Sequence, residues 1–313
     1  MDSYEEPDFD TINRAITKAN VVYNYDLLRR YHLSLKTRRF VILCGVSGSG
    51  KTLLTRMYAN AVQAQYRLVP VAPNWTTNED LLGYYNPLNK QYYDTDFSLF
   101  LRQAARAHES ALSVGKIAQP FHLVLDEMNL ARVEYYFAKF LSGMEVLNSA
   151  GSAMVTMFGP DQVELPPNLY FVGTVNIDET TQGFADKIYD RAQVIEITHN
   201  REEIASRVER KEVRQSLMDV WDAVSEVAPF SIRVVDEINR YVNAAVMLKI
   251  PWEQALDDQI CQKILPRVRG TDIRLGVMLQ KLNDITANRF PRSYGKVQQL
   301  NYGYQNYGIV SFF

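Results

Sequence analysis

Eight residues, Gly45-Val46-Ser47-Gly48-Ser49-Gly50-Lys51-Thr52, leave this chain few architectures to choose from. They follow a short apolar run, Arg39–Cys44 (RFVILC), and precede a segment in which Leu53, Leu54, Met57, Tyr58 and Ala61 recur at helical spacing. Small residues let successive backbone N–H groups turn inward around an anion, and the helix that follows adds the positive end of its dipole. In a strand–loop–helix setting, G-x-x-x-x-G-K-[ST] is a phosphate cradle. Lys51 would reach the β- and γ-phosphates of a nucleotide, and the Thr52 hydroxyl would hold Mg²⁺.

Runs like Arg39–Cys44 recur at Arg67–Ala72, Phe121–Leu125, Leu169–Val175 and Gln193–Ile197. They are almost wholly apolar rather than alternating, the pattern of strands covered on both faces. Helix-period segments such as Leu53–Ala64 and Phe97–His108 lie between them. The alternation predicts an α/β fold, a five-stranded parallel sheet with helices on both sides. Before it, Ile12, Ala15, Ile16 and Ala19 share one helical face and a second helix is expected from Tyr25 to Leu35. Ala153–Phe158 and Gln162–Leu165 flank Gly159-Pro160-Asp161 and read as a β-hairpin. Beyond His199 the pattern is helical, near 201–228, 231–249, 252–265 and 272–288. The expected organisation is a helical segment over 1–35, an α/β nucleotide-binding domain over 36–198 and an all-helical domain over 199–313.

Composition narrows the function classes. With 47% hydrophobic and 22% charged residues, the 313-residue chain can bury a core. Its 34 basic and 36 acidic residues give a net charge of −2, which is not a globally basic nucleic-acid coat. No run approaches 18 apolar residues, and MDSYEEPDFD is too acidic for a secretory signal, so a cytoplasmic protein without a membrane span is expected. Cys44 and Cys261 stand far apart and the four histidines are scattered, so no metal is expected beyond one carried in with a nucleotide.

Phe121–Leu125 runs directly into Asp126-Glu127. Two carboxylates at the end of a buried strand are costly unless they perform electrostatic work. Beside the cradle, Asp126 would support the Mg²⁺ shell, and Glu127 would orient and deprotonate an attacking water. The next strand ends at Asn176; if the two strands are neighbours, its amide reaches the water or the γ-phosphate. Asp190-Arg191 precedes the last strand, and Arg191 could pair with Asp190 or project into a neighbouring subunit's nucleotide.

This order of motifs resembles AAA+ NTPases: a Walker A loop, a Walker B strand ending in Asp-Glu, a strand ending in Asn, an Arg before the fifth strand and a helical lid. FVILCGVSGSGKT, VLDEMNLARVEYYFAKFLSGME, VGTVNIDETT and KILPRVRG look like the McrB-related branch, near the MoxR and dynein-like groups. The likeness runs from about Tyr31 to Phe313. It implies sensor 1 for Asn176, an arginine finger acting in trans for Arg191, and a homo-oligomeric ring, a hexamer. It implies sensor 2 for Arg233, which opens a lid helix in Ser231-Ile232-Arg233, with Arg269 as runner-up, and a pre-sensor-1 hairpin for Ala153–Leu165. It further implies the motor subunit of a McrBC-like restriction or anti-phage system with a McrC-like nuclease partner, DNA recognition belonging to a partner, a missing segment or the ring itself. A nucleotide-dependent scaffold for an effector nuclease and a MoxR-like chaperone are the alternatives. The GTP-using branch carries Asn-Thr-Ala-Asp where this chain reads Asn176-Ile177-Asp178-Glu179, which favours ATP over GTP.

Trp75, Tyr84, Tyr85, Tyr92 and Tyr93 cluster in one inserted segment, where packing onto the sheet is favoured over gripping a polymer. Arg29, Arg30, Lys36, Arg38 and Arg39 read as a solvated basic face, and Tyr302, Tyr304 and Tyr307 as packing residues.

Overall fold

The computed structural model of the chain describes residues 3–18, 23–150, 153–157, 162–178 and 182–313. Contacts divide it into two compact units, Met1–Gly45 with Gly50–Ile197, and Val46–Ser49 with Thr198–Phe313.

The first unit runs α1 (Phe9–Thr17), α2 (Tyr25–Arg38), β1 (Phe40–Gly45), α3 (Lys51–Ala61), β2 (Gln65–Pro70), α4 (Asn78–Leu82), β3 (Gly83–Asn86), β4 (Gln91–Asp94) and α5 (Asp96–Leu112). It continues with β5 (Phe121–Asp126), α6 (Val133–Tyr136), α7 (Ala138–Ala150), β6 (Ala153–Thr156), β7 (Gln162–Leu165), β8 (Leu169–Asn176), α8 (Asp186–Tyr189) and β9 (Gln193–Glu196). Five strands form one parallel sheet in the order β2-β5-β8-β1-β9, with Val41 opposite Val172 and Val124 also opposite Val172 from the other side. In such sheets ligands bind outside the carboxyl ends of the strands. Here that edge gathers the loop after β1, the Asp126 end of β5 and the Asn176 end of β8.

Alternation along the strands explains the two layers. Phe40, Ile42, Leu123, Leu125 and Phe171 face a core shared with Phe97, Phe100, Phe137 and Phe140. Their neighbours Val41, Leu43, Val124 and Val172 face the opposite core, built with Leu27, Leu28, Tyr31, Leu54 and Tyr58. The expected N-terminal helices are therefore one covering layer of this sheet. Burial on both faces holds for β1, β5 and β8 but not for β2 and β9, which are edge strands with exposed side chains. Leu53, expected on the apolar face of α3, is also exposed. Ala19 and the hairpin turn Gly159-Pro160-Asp161 lie outside the described residues, whereas β6 and β7 pair antiparallel as the spacing predicts.

The aromatic insert divides. Trp75 packs edge-on against Tyr136 at 5.3 Å, and the Tyr92 hydroxyl donates to the Leu82 carbonyl at 2.9 Å. Tyr84 and Tyr93 instead stack on each other, 5.1 Å apart, as an exposed cross-strand pair of the β3–β4 hairpin. Gly83 opens that hairpin at φ 93°, where a Cβ would come within 2.0 Å of the Tyr93 carbonyl oxygen. The basic run lies on α2, where Arg29 and Arg30 pair with Asp26 and Lys36 with Glu6.

One core group gives the first unit a pH dependence. His122 is buried between the rings of Tyr58 and Tyr170, 5.7 and 5.1 Å away, and burial pushes its imidazole down to about 3, with Lys36 acting in the same direction. An unfolded histidine takes up its proton near pH 6.5. The contribution of neutral His122 is thus fully present above that value and is lost as pH falls toward 3, at about 1.4 kcal/mol per pH unit. His32, lowered by partial burial, adds to the same slope. Thermal melting should drop steadily from pH 6.5 to 5, and His122→Phe should flatten most of that drop; an unchanged slope would refute the assignment.

The second unit contains α9 (Arg201–Arg207), α10 (Lys211–Val224), α11 (Ile232–Met247), α12 (Trp252–Gln259), α13 (Arg274–Thr286) and α14 (Pro291–Tyr307). Leu217, Val220, Phe230, Val235, Ile238, Leu256, Leu279 and Val297 are among its buried residues. The single helix expected over 201–228 breaks at Val208–Arg210, and α14 lies beyond the last expected segment. Pro291 begins α14, where a missing N–H costs nothing. The buried Asp257 carboxylate accepts from the next two amides, Arg292 N at 2.9 Å and Ser293 N at 2.8 Å. Tyr304 packs over Gly276 and donates to the Ile273 carbonyl at 3.2 Å, but Tyr302 and Tyr307 are exposed, contrary to expectation. No helix among the described residues is long and apolar enough to cross a membrane.

Candidate nucleotide site

The loop after β1 folds as its glycines require. Gly48 and Gly50 sit at φ 82° and 93°, a region that side chains rarely adopt, and Gly50 caps the N-terminus of α3. Space is a second constraint, because a Cβ on Gly50 would lie 2.7 Å from the Tyr23 hydroxyl. That hydroxyl donates to the Gly50 carbonyl at 2.7 Å and is held well above its ordinary range by burial. Lys51 opens α3 only 5% exposed, its ammonium donating to the Gly45 carbonyl at 2.9 Å. A cation placed so deeply suits an anionic ligand.

Three side chains, one from α3 and two from the end of β8, converge on the adjacent carboxylates. The Thr52 hydroxyl donates to Asp126 Oδ1 at 2.7 Å, and the Thr174 hydroxyl donates to the same oxygen at 2.7 Å. Glu127 stands at φ 53°, a left-handed conformation that costs a non-glycine residue roughly 1–2 kcal/mol. Its N–H donates to Thr174 Oγ1 at 3.0 Å, and its Oε1 accepts from Asn176 Nδ2 at 3.0 Å. Asn176 reaches it because β5 and β8 are neighbours, and Asn176 is itself opposite Gly45 in the sheet. Met128 fills the space beside Gly173, where a Cβ would approach its sulfur to 2.4 Å.

Arg191 does not pair with Asp190. Its guanidinium donates to Glu145, to the Leu141 carbonyl at 3.1 Å and to the Lys187 carbonyl at 3.0 Å, all in the first unit. Glu179, next to Asp178 in the sensor stretch, lies outside the described residues, as do Thr180 and Thr181.

Within the second unit, which includes Val46–Ser49, Arg233 Nη2 donates to Ser47 Oγ at 2.7 Å and the Ser231 hydroxyl to the Ser47 carbonyl at 2.9 Å. A Cβ on Gly48 would lie 2.6 Å from Arg233 Nε, so glycine is required there too. His199 Nε2 faces the Ser49 carbonyl at 3.1 Å, and its Nδ1 is 3.4 Å from Glu203. Arg269 lies exposed beyond a short turn at Leu265–Arg267.

Whether this loop fits a triphosphate is tested by Ser49, whose buried hydroxyl has no hydrogen-bond partner among the described residues. An orphaned donor in a glycine cradle is what a phosphate oxygen would satisfy. The hydroxyl–carboxylate pair Thr52–Asp126 likewise fits the oxygen ligation that Mg²⁺ prefers. Thr174, His199 and Ser231 escaped the sequence reading. A threonine inside an apolar strand looks like an ordinary strand former, and nothing in spacing ties residues 199 or 231 to the loop.

Residues 40–192 match the AAA domain family of the dynein-related subfamily. Residues 191–309 match a domain of unknown function, DUF8727. No curated protein matches the sequence. Among solved structures, a Thermotoga maritima RuvB mutant is similar over 90% of both chains at 12% identity and a TM-score of 0.47. Strand order and loop sequence agree with that match: the chain has an AAA+ fold, its α/β domain similar to the dynein-related AAA family and followed by a helical region.

Proposed function

We propose that the chain hydrolyses ATP in preference to GTP, at sites completed between copies in a ring, as the motor of a McrB-related system. The observation that carries the hydrolytic reading is the hydrogen-bonded series Thr52–Asp126–Thr174–Glu127–Asn176 beside Lys51. Lys51 and the glycine loop bind the β- and γ-phosphates. Thr52 and Asp126 would hold Mg²⁺, whose charge offsets that of the phosphates when it is bound. Glu127 takes the proton of the attacking water, and Asn176 fixes the carboxylate rotamer that does so. Hydrolysis then rests on positioning and electrostatics rather than on any covalent intermediate.

Arg191 is assigned to the neighbouring copy's γ-phosphate. In a single chain it is occupied by Glu145, so assembly would have to release it. The ring, a nuclease effector and access to DNA through that effector follow the McrB resemblance. ATP is favoured by the departure at Asn176-Ile177-Asp178.

The test is Mg²⁺-dependent phosphate release with ATP and with GTP, followed by subunit mixing. Arg191→Ala and Lys51→Ala should each be inactive alone. Mixed, they should recover a measurable fraction of turnover, because an intact loop from one copy meets an intact arginine from the other. Absence of recovery in particles shown to be mixed would exclude action in trans.

A further inference from the structure

One buried hydroxyl touches both acidic residues of the site. Thr174 is 1% exposed and lies on β8, two residues before Asn176. Its bonding polarity is forced. The Glu127 N–H can only donate, so Oγ1 accepts from it at 3.0 Å, and Oγ1 gives its own single proton to Asp126 Oδ1 at 2.7 Å. The hydroxyl is thereby used in both capacities.

Position in the sheet gives this bond its consequence. The parallel pairing of β5 with β8 ends at Leu125 opposite Gly173. Asp126 and Glu127 are the first residues past that pairing, and the Glu127 N–H finds a side chain instead of a strand carbonyl. Glu127 turns there into the left-handed conformation, and its carboxylate meets Asn176. Such a conformation persists only where its surroundings over-determine it. The Thr174 bond is one such constraint, and Met128 packed against Gly173 is another. At Asp126 the effect is different: two hydroxyls, Thr52 and Thr174, converge on Oδ1 and set the rotation of the carboxylate.

We infer that Thr174 is a positioning residue for hydrolysis, its single hydroxyl holding the Glu127 backbone in its turned conformation while orienting the Asp126 carboxylate. This rests on the hydrolytic reading above. It adds that geometry at the Asp-Glu pair is set from the neighbouring strand and not by β5 alone.

Thr174→Val keeps the shape and removes both bonds; Thr174→Ser keeps both bonds and removes a methyl. A displacement of about 1 Å at a reacting group can cost on the order of 100-fold in rate. In Thr174→Val, kcat should fall about 10- to 100-fold, with Kd for a fluorescent triphosphate in EDTA within about threefold of wild type. The Mg²⁺ concentration that half-saturates the nucleotide-induced thermal shift should rise, because Asp126 has lost an orienting donor. Thr174→Ser should return kcat and the Mg²⁺ midpoint to within about threefold of wild type, a rescue that methyl packing could not produce.

Wild-type protein without Mg²⁺-dependent phosphate release would overturn the hydrolytic reading itself. With an active wild type, Thr174→Val turning over within about threefold overturns only the role of Thr174. If Thr174→Val melts below the assay temperature, Thr174→Ser decides. Near-wild-type turnover and Mg²⁺ midpoint in the serine variant support the bond, and a serine variant that folds but is as slow as a Glu127→Gln control refutes it.

Discussion

Glu127→Gln should bind triphosphate as wild type does and release phosphate about 10²- to 10⁴-fold more slowly, the range that loss of a positioned general base costs. The substitution is nearly isosteric, so its Oε1 can still accept from Asn176, and the backbone bond to Thr174 is untouched. What disappears is basicity. Single-turnover phosphate release, set beside equilibrium binding of the same nucleotide, separates the two effects. Equal turnover by variant and wild type would remove Glu127 from the mechanism.

Lys51→Ala acts one step earlier, on binding. Lys51 is 5% exposed and its ammonium is anchored to the Gly45 carbonyl, so it meets a triphosphate with little water to screen it. Removing one member of a buried charge pair costs about 2–5 kcal/mol, or roughly 30- to 4,000-fold in affinity. Calorimetric titration with ATP and Mg²⁺ should show that loss, whereas the melting temperature without nucleotide should hold or rise, since a buried cation has been removed. An affinity within threefold of wild type would contradict the phosphate cradle.

Much of this arrangement could be read before any fold was known, for a physical reason. Phosphate cradles need glycine at particular backbone angles, and Gly48 and Gly50 adopt them. Strands covered on both faces need unbroken apolar runs, so β1, β5 and β8 announced themselves, and with them the carboxylates at Asp126 and Glu127 and the amide of Asn176. The edge strands β2 and β9 carry exposed side chains although their sequences also contain short apolar runs.

What stayed hidden depends on partners distant in sequence. Thr174 is a plain strand residue until β5 is laid beside it. Arg191 pairs not with the adjacent Asp190 but with Glu145, 46 positions earlier. Helix α14 depends on Asp257, more than 30 residues away, for the capping of its first amides. In sequence the β3–β4 hairpin shows only as an aromatic-rich insert, because neither its turn nor the stacking of Tyr84 on Tyr93 follows from composition.

The clasp between Arg191 and Glu145 has an economic side. If that guanidinium completes a neighbour's site, each solitary copy keeps its contribution locked away and idles, however much fuel surrounds it. Consumption would then scale with assembled particles rather than with total protein, and loosening the clasp through Glu145 would lower the threshold concentration at which the machine starts to run.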